Sequence, residues 1–147
     1  MRARTLLSPR FIIGVLAAIV VLHFLATYFR WYEPSPVSAG GWRIDWMFHA
    51  VGGFWIAGLF FYASYRGANV AAPSSHPLYI GVCALGAVAL AGVLWEFFEF
   101  WIDATFGALP HVTRQQGGLH DTMFDLAFDL AGGAVGTLLY LVALQRR

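Results

Sequence analysis

The chain contains no lysine and a single cysteine, and only 12% of its residues are charged, about half the share near 25% that is usual for soluble globular domains. All nine basic residues are therefore arginines, and no lysine ammonium is available to pair with a buried carboxylate. The lone Cys83 excludes an internal disulfide, and its setting in GVCALG points to packing. No basic stripe with interleaved stacking residues is present, which argues against a nucleic-acid partner. Phosphate-binding loops, nucleophile motifs and hydrolase signatures are absent as well, so no reaction class is assigned and catalysis stays an open question.

What fills the chain instead is apolar: 59% of residues are hydrophobic, 17% aromatic, and the mean hydropathy is +0.65. Those values point to the lipid bilayer as the main environment of an all-α integral membrane bundle. The uncharged run 11–29 spans about 28 Å as a helix, close to the hydrocarbon thickness. Arg2, Arg4 and Arg10 before it resemble a signal-peptide n-region, but the run is long and no small-x-small cleavage site follows, so an uncleaved signal anchor is expected. WYEPSPVSAGGW then reads as a surface loop with interfacial aromatics. A second span is expected over 43–65, ended by Arg66 and GANVAAPSSHP. The third, over 78–106, has Ser74 or Ser75 as its expected N-cap and Pro77 near its first turn. GALPHVTRQQGG forms a loop closed by glycines, and the fourth span covers 121–144. The whole chain, 1–147, reads as one transmembrane domain, with no internal repeat and no gap large enough for a soluble domain.

Arginine placement sets the expected orientation. Arg2, Arg4, Arg10, Arg66, Arg146 and Arg147 lie on one side of this topology and Arg30, Arg43 and Arg114 on the other; the positive-inside rule puts both termini in the cytoplasm. Six of the eight acids fall between Glu96 and Asp129, and this topology brings them to the outer half of the bundle. Asp45 and His49 are spaced i,i+4; Glu96, Glu99 and Asp103 i,i+3,i+7; Asp121, Asp125 and Asp129 i,i+4,i+8, so each helix carries one polar stripe. Asp129 lies about 12 Å deeper than Asp121. Charged groups at such depth cost at least about 2.5–3.5 kcal/mol, so they face inward and usually serve a function. Crowded carboxylates must share protons, pair with a cation-forming side chain, or bind a metal.

His49, Glu96, Glu99, Asp125 and Asp129 make a chemically sensible ligand set for a divalent cation, zinc, manganese, iron or magnesium. Asp45, Asp103 and His23 extend the polar cluster. The alternative is that the acids are hydrogen-bonded struts that fix helix packing. For His23, a hydrogen-bonded packing role competes with membership of the cluster. His120 and Asp121 are candidate proton carriers at the membrane edge, although His120 equally suits a solvated loop, the reading preferred for His76 and His111. Gly52, Gly53, Gly132, Gly133 and Gly136 read as small residues that let helices approach closely.

DWMFHAVGGFWIAGLF, WEFFEFW and DTMFDLAFDLAGGAVG together resemble the VanZ-like group of small bacterial membrane proteins, most closely its YjdF-like branch. Asp45 and His49 match the Asp-then-His pair of that group; Trp95, Glu96 and Glu99 match a W-E-x-x-E segment; Asp121, Thr122, Asp125 and Asp129 match a D-T-x-x-D-x-x-x-D helix. Trp46 stands where VanZ-like proteins usually carry Lys, and Asp129 where they carry Asn, so this site is the more acidic. The resemblance implies a multi-pass protein of the bacterial plasma (inner) membrane with a role in the cell envelope, and it carries no established biochemical activity.

The expected function is an outward-facing pocket that binds a divalent cation and a polar or lipid-linked envelope ligand. Competing readings are a proton or cation transporter component and a structural or assembly protein. Self-association into a homo-oligomer is compatible with all three.

Overall fold

The structure, a computed structural model, describes residues 3–29, 31–32, 44–67, 76–109 and 115–145. Arg2, Arg30, Arg43, Arg114, Arg146 and Arg147 of the orientation argument lie outside these residues, as do His111, Ser74, Ser75 and most of the first two loops. The described residues form helices and no strand: α1 (Ala3–Leu6), α2 (Pro9–Tyr28), α3 (Ile44–Tyr62), α4 (Pro77–Phe106) and α5 (Leu119–Gln145). Four of them, α2 to α5, are long and apolar enough to cross a membrane.

Local sequence explains the boundaries. Ser8 caps α2, its hydroxyl accepting from Phe11 N, and Pro9 occupies the first turn, where its missing N–H costs nothing. α3 runs on into a π-helical turn, Ala63–Gly67. α4 has the same start as α2 with a different cap. Pro77 opens it, and the cap is His76, whose Nδ1 accepts from Leu78 N at 3.3 Å. This corrects the expectation of a serine cap: a ring nitrogen one residue before the proline reaches the free amide that a serine two or three residues back would have to span.

The most extensive helix contact is between α3 and α5, followed by α4 with α5. Glycine explains why those backbones come so close. A methyl group added to Gly53 would land on the backbone carbonyl of Asp129, and one added to Gly132 on that of Ala50. Gly133 meets Val88 of α4 and Gly136 meets Phe54 and Ala57 of α3, the small-residue packing that membrane bundles use where apolar burial gives no drive. α2 is peripheral: only 11% of its most apolar window is buried, against 33% in α5. The Trp55 indole N–H ties α2 to α3 by donating to the Ile12 carbonyl at 2.9 Å.

The bundle has two unlike ends. At one, Leu6, Leu7, Phe61, Ile80, Ala84, Tyr140 and Ala143 form a hydrophobic core, with the Phe61 and Tyr140 rings stacked at 5.2 Å and 8°. The short α1 thus plugs this end, a role its four-residue sequence did not disclose. At the other end α3 begins, α4 finishes and α5 begins, so their acids meet there.

Candidate functional site

The polar residues sit where antiparallel packing brings three helix ends together. His49, Glu96, Glu99, Asp121, Asp125 and Asp129 are all buried, and Asp45 and Asp103 are half-buried. His49 lies between two aspartates of α5. Its Nδ1 is 3.3 Å from Asp129 Oδ2, and its Nε2 is 3.8 Å from Asp125 Oδ1. Asp45, His49 and Asp125 each offer a ligand atom within 4.8 Å of the others. Asp125 Oδ1 is buried and accepts no hydrogen bond, so a carboxyl oxygen is left facing an imidazole and a second carboxyl group. Ligand atoms about 2.0–2.2 Å from a common cation in a tetrahedral site lie about 3.3–3.6 Å apart, so a cation would have to draw the trio in by up to about 1.5 Å.

The α4 acids are held differently. Trp95 Nε1 donates to Glu99 Oε1 at 2.8 Å. Gln116 Nε2 donates to Glu96 Oε2 at 2.8 Å and to the Glu96 carbonyl at 3.2 Å, while Glu96 Oε1 is buried without a hydrogen bond. Asp103 accepts the backbone N–H groups of Gln115 and Gln116 at 2.9 and 3.0 Å. Asp121 accepts from Gly117 N at 2.7 Å.

Of the five residues expected as ligands, Asp125 and Asp129 both approach His49, whereas Glu96 and Glu99 have partners of their own. Asp45, expected at the edge of the cluster, stands within ligand reach of His49 and Asp125. His23 stays on the exposed face of α2, its Nδ1 sharing a 2.8 Å hydrogen bond with the Tyr32 hydroxyl. Burial, and then the charges of Asp45 and Glu99, push the Tyr32 phenol above its usual pKa, which keeps its proton in place. His120 is exposed and stacks on Phe124 at 4.5 Å.

Gln116 and Gly92 went unread in the sequence. A loop glutamine gives no periodic signal. Gly92 lies one turn before Glu96, and a methyl group there would come within 2.6 Å of Asp129 Oδ2; its role is to leave room for that carboxylate. The spacing G-x-x-x-E on a helix with acids was the available clue.

Residues 1–146 match the family described as "Predicted membrane protein (DUF2238)". The chain belongs to that family. No curated protein and no solved structure matches it. Membership of DUF2238 agrees with the four apolar helices and names no ligand or reaction.

Proposed function

We propose that this DUF2238 protein binds a divalent cation at the buried end of its polar cluster, with Asp45, His49 and Asp125 as ligands. The observation that carries the reading is the trio itself: one imidazole and two carboxylates within 4.8 Å, with Asp125 Oδ1 buried and free of any hydrogen bond. His49 suits this role because its two nitrogens face different carboxylates. Nδ1–H donated to Asp129 would leave Nε2 free for the metal, the carboxylate–histidine–metal arrangement that fixes the tautomer and raises ligand basicity. The imidazole favours zinc, manganese or iron over magnesium, whose sites are built from oxygen. Asp129 is thus a positioning residue. Glu96 and Glu99, bound by Gln116 and Trp95, fit the strut reading of intramembrane acids.

The finer assignment is also part of this proposal. The pairs Asp45–His49, Glu96–Glu99 and Asp125–Asp129 support kinship with VanZ-like proteins of the YjdF-like branch. That kinship implies a bacterial plasma membrane, and the arginine distribution supports cytoplasmic termini and an outward-facing site, on the side of the membrane where a polar or lipid-linked envelope ligand would be met.

Elemental mass spectrometry of the detergent-purified protein tests the core claim. Near-stoichiometric zinc, manganese or iron is expected in the wild type. It should be lost in His49→Ala and in Asp125→Asn with helicity intact by circular dichroism, and retained in Glu99→Gln. A wild type that carries no metal and takes up none of these ions when they are added refutes the proposal.

A further inference from the structure

The segment Gln115–Gly118 lies across the polar end of the bundle, where three carboxylates accept hydrogen bonds from it. Asp103, three residues before α4 ends, takes the N–H groups of Gln115 and Gln116 on its two oxygens. Asp121, in the first turn of α5, takes that of Gly117. Between these two anchors the Gln116 side chain turns inward, half-buried, to donate to both the carboxylate and the carbonyl of Glu96. Gly118 follows at φ 100°, a backbone conformation open to glycine and strained for other residues. The outward side of the segment is exposed at Gln115, Gly117 and Gly118. The segment itself carries no apolar side chain, and hydrogen bonds that water can replace are the kind that open locally.

We propose that Gln115–Gly118 is a strap that closes the polar end of the bundle, that Gln116 is its latch on Glu96, and that access to the buried acids requires the latch to release. Asp103 and Asp121 are then anchors for the strap. The anchors keep it attached while the latch swings, because Asp103 holds the N–H groups of Gln115 and Gln116 and Asp121 holds that of Gly117. The strap stands on the hydrogen bonds alone; its consequence for cation entry rests on the function proposed above.

A thiol placed beside the latch tests this in the full chain, with Cys83→Ser removing the native cysteine. Thr122→Cys serves as reporter, since Thr122 is half-buried one residue beyond Asp121 and its side chain hydrogen-bonds to the Glu96 carboxylate that Gln116 also holds. Its alkylation by a charged, water-soluble methanethiosulfonate is expected to speed up about tenfold or more when Gln116→Ala or Asp103→Asn is added. Hydrogen exchange at residues 115–117 should quicken in the same variants while the amides of 126–136 in α5 keep their protection. Unchanged alkylation in both variants overturns the strap. So does acceleration accompanied by loss of protection along α5, because Gln116 would then be supporting the bundle itself. Zinc exchange, followed by stopped flow, should speed up in parallel. If the protein takes up no zinc, manganese or iron while the thiol result holds, the cation reading fails and the strap remains.

Discussion

Gly52 and Gly53 are neighbours in α3, yet alanine at these two positions should move stability in opposite directions. A methyl group on Gly52 meets nothing within 4 Å, so the substitution leaves only the helix-propensity gain of about 0.8–1 kcal/mol. A methyl group on Gly53 lands on the backbone carbonyl of Asp129. That carbonyl belongs to a helix ladder and cannot rotate aside as a side chain would, so α3 and α5 must separate along their main contact. Overpacking of this sort costs about 1–3 kcal/mol, and the opened gap forfeits dispersion contacts on both sides. Because backbone meets backbone, the upper part of that range applies. After the propensity gain, Gly53→Ala should destabilise by about 2 kcal/mol, and the two variants should differ by about 3 kcal/mol, roughly a hundredfold in the folding equilibrium. Unfolding by sodium dodecyl sulfate in mixed micelles, followed by circular dichroism, measures the difference. Equal stabilities for the two variants refute the argument that glycine sets the α3–α5 separation. Gly132→Ala, opposite the carbonyl of Ala50, should reproduce the Gly53 result independently.

Tyr140→Ala should cost about 3–5 kcal/mol, since it empties a fully buried ring site stacked on Phe61. Tyr140→Phe should cost under about 1 kcal/mol, because the hydroxyl's bond to the Leu6 carbonyl is long at 3.4 Å; the same micelle titration reads both. Trp95→Phe removes the donor from buried Glu99 and should destabilise by about 1–3 kcal/mol, with metal content unchanged. Zinc at a hundred times its Kd should stabilise the wild type by about 2.7 kcal/mol, seen as a raised Tm; Asp125→Asn should show no such rise.

The fold was legible because membrane helices follow one-dimensional rules. A run near 20 apolar residues is long enough to cross and must satisfy its backbone internally, so the positions of α2 to α5 follow from hydropathy and from Pro9 and Pro77 at helix starts. The glycines of α5 were legible for the same reason: a small residue on a helix surface means close approach. What they approach was not, because Gly132 meeting Ala50 and Gly53 meeting Asp129 depend on the rotation and register of α3 against α5. The role of α1 was hidden as well. Leu6 and Leu7 are buried because the chain folds back at Ser8, and no periodicity in so short a segment announces that.

For the candidate site, helical spacing assigned each acid to a face, and antiparallel connection brought the faces to a common depth. Those two facts are properties of sequence order, and they were enough to gather His49, Asp125 and Asp129. The division of labour inside the cluster was decided by distances of an ångström or two. Asp45 comes within reach of His49 and Asp125, while Glu96 and Glu99 are claimed by Gln116 and Trp95. Apolar run length and helical period thus determined that the chain is a four-span bundle with acids at one end, since each depends only on residues along a single helix. The tertiary structure alone decided which carboxylate faces His49, which accepts an amide from the 115–118 segment, and where glycine makes room. Those outcomes depend on how side chains of different helices meet, which no single helix encodes.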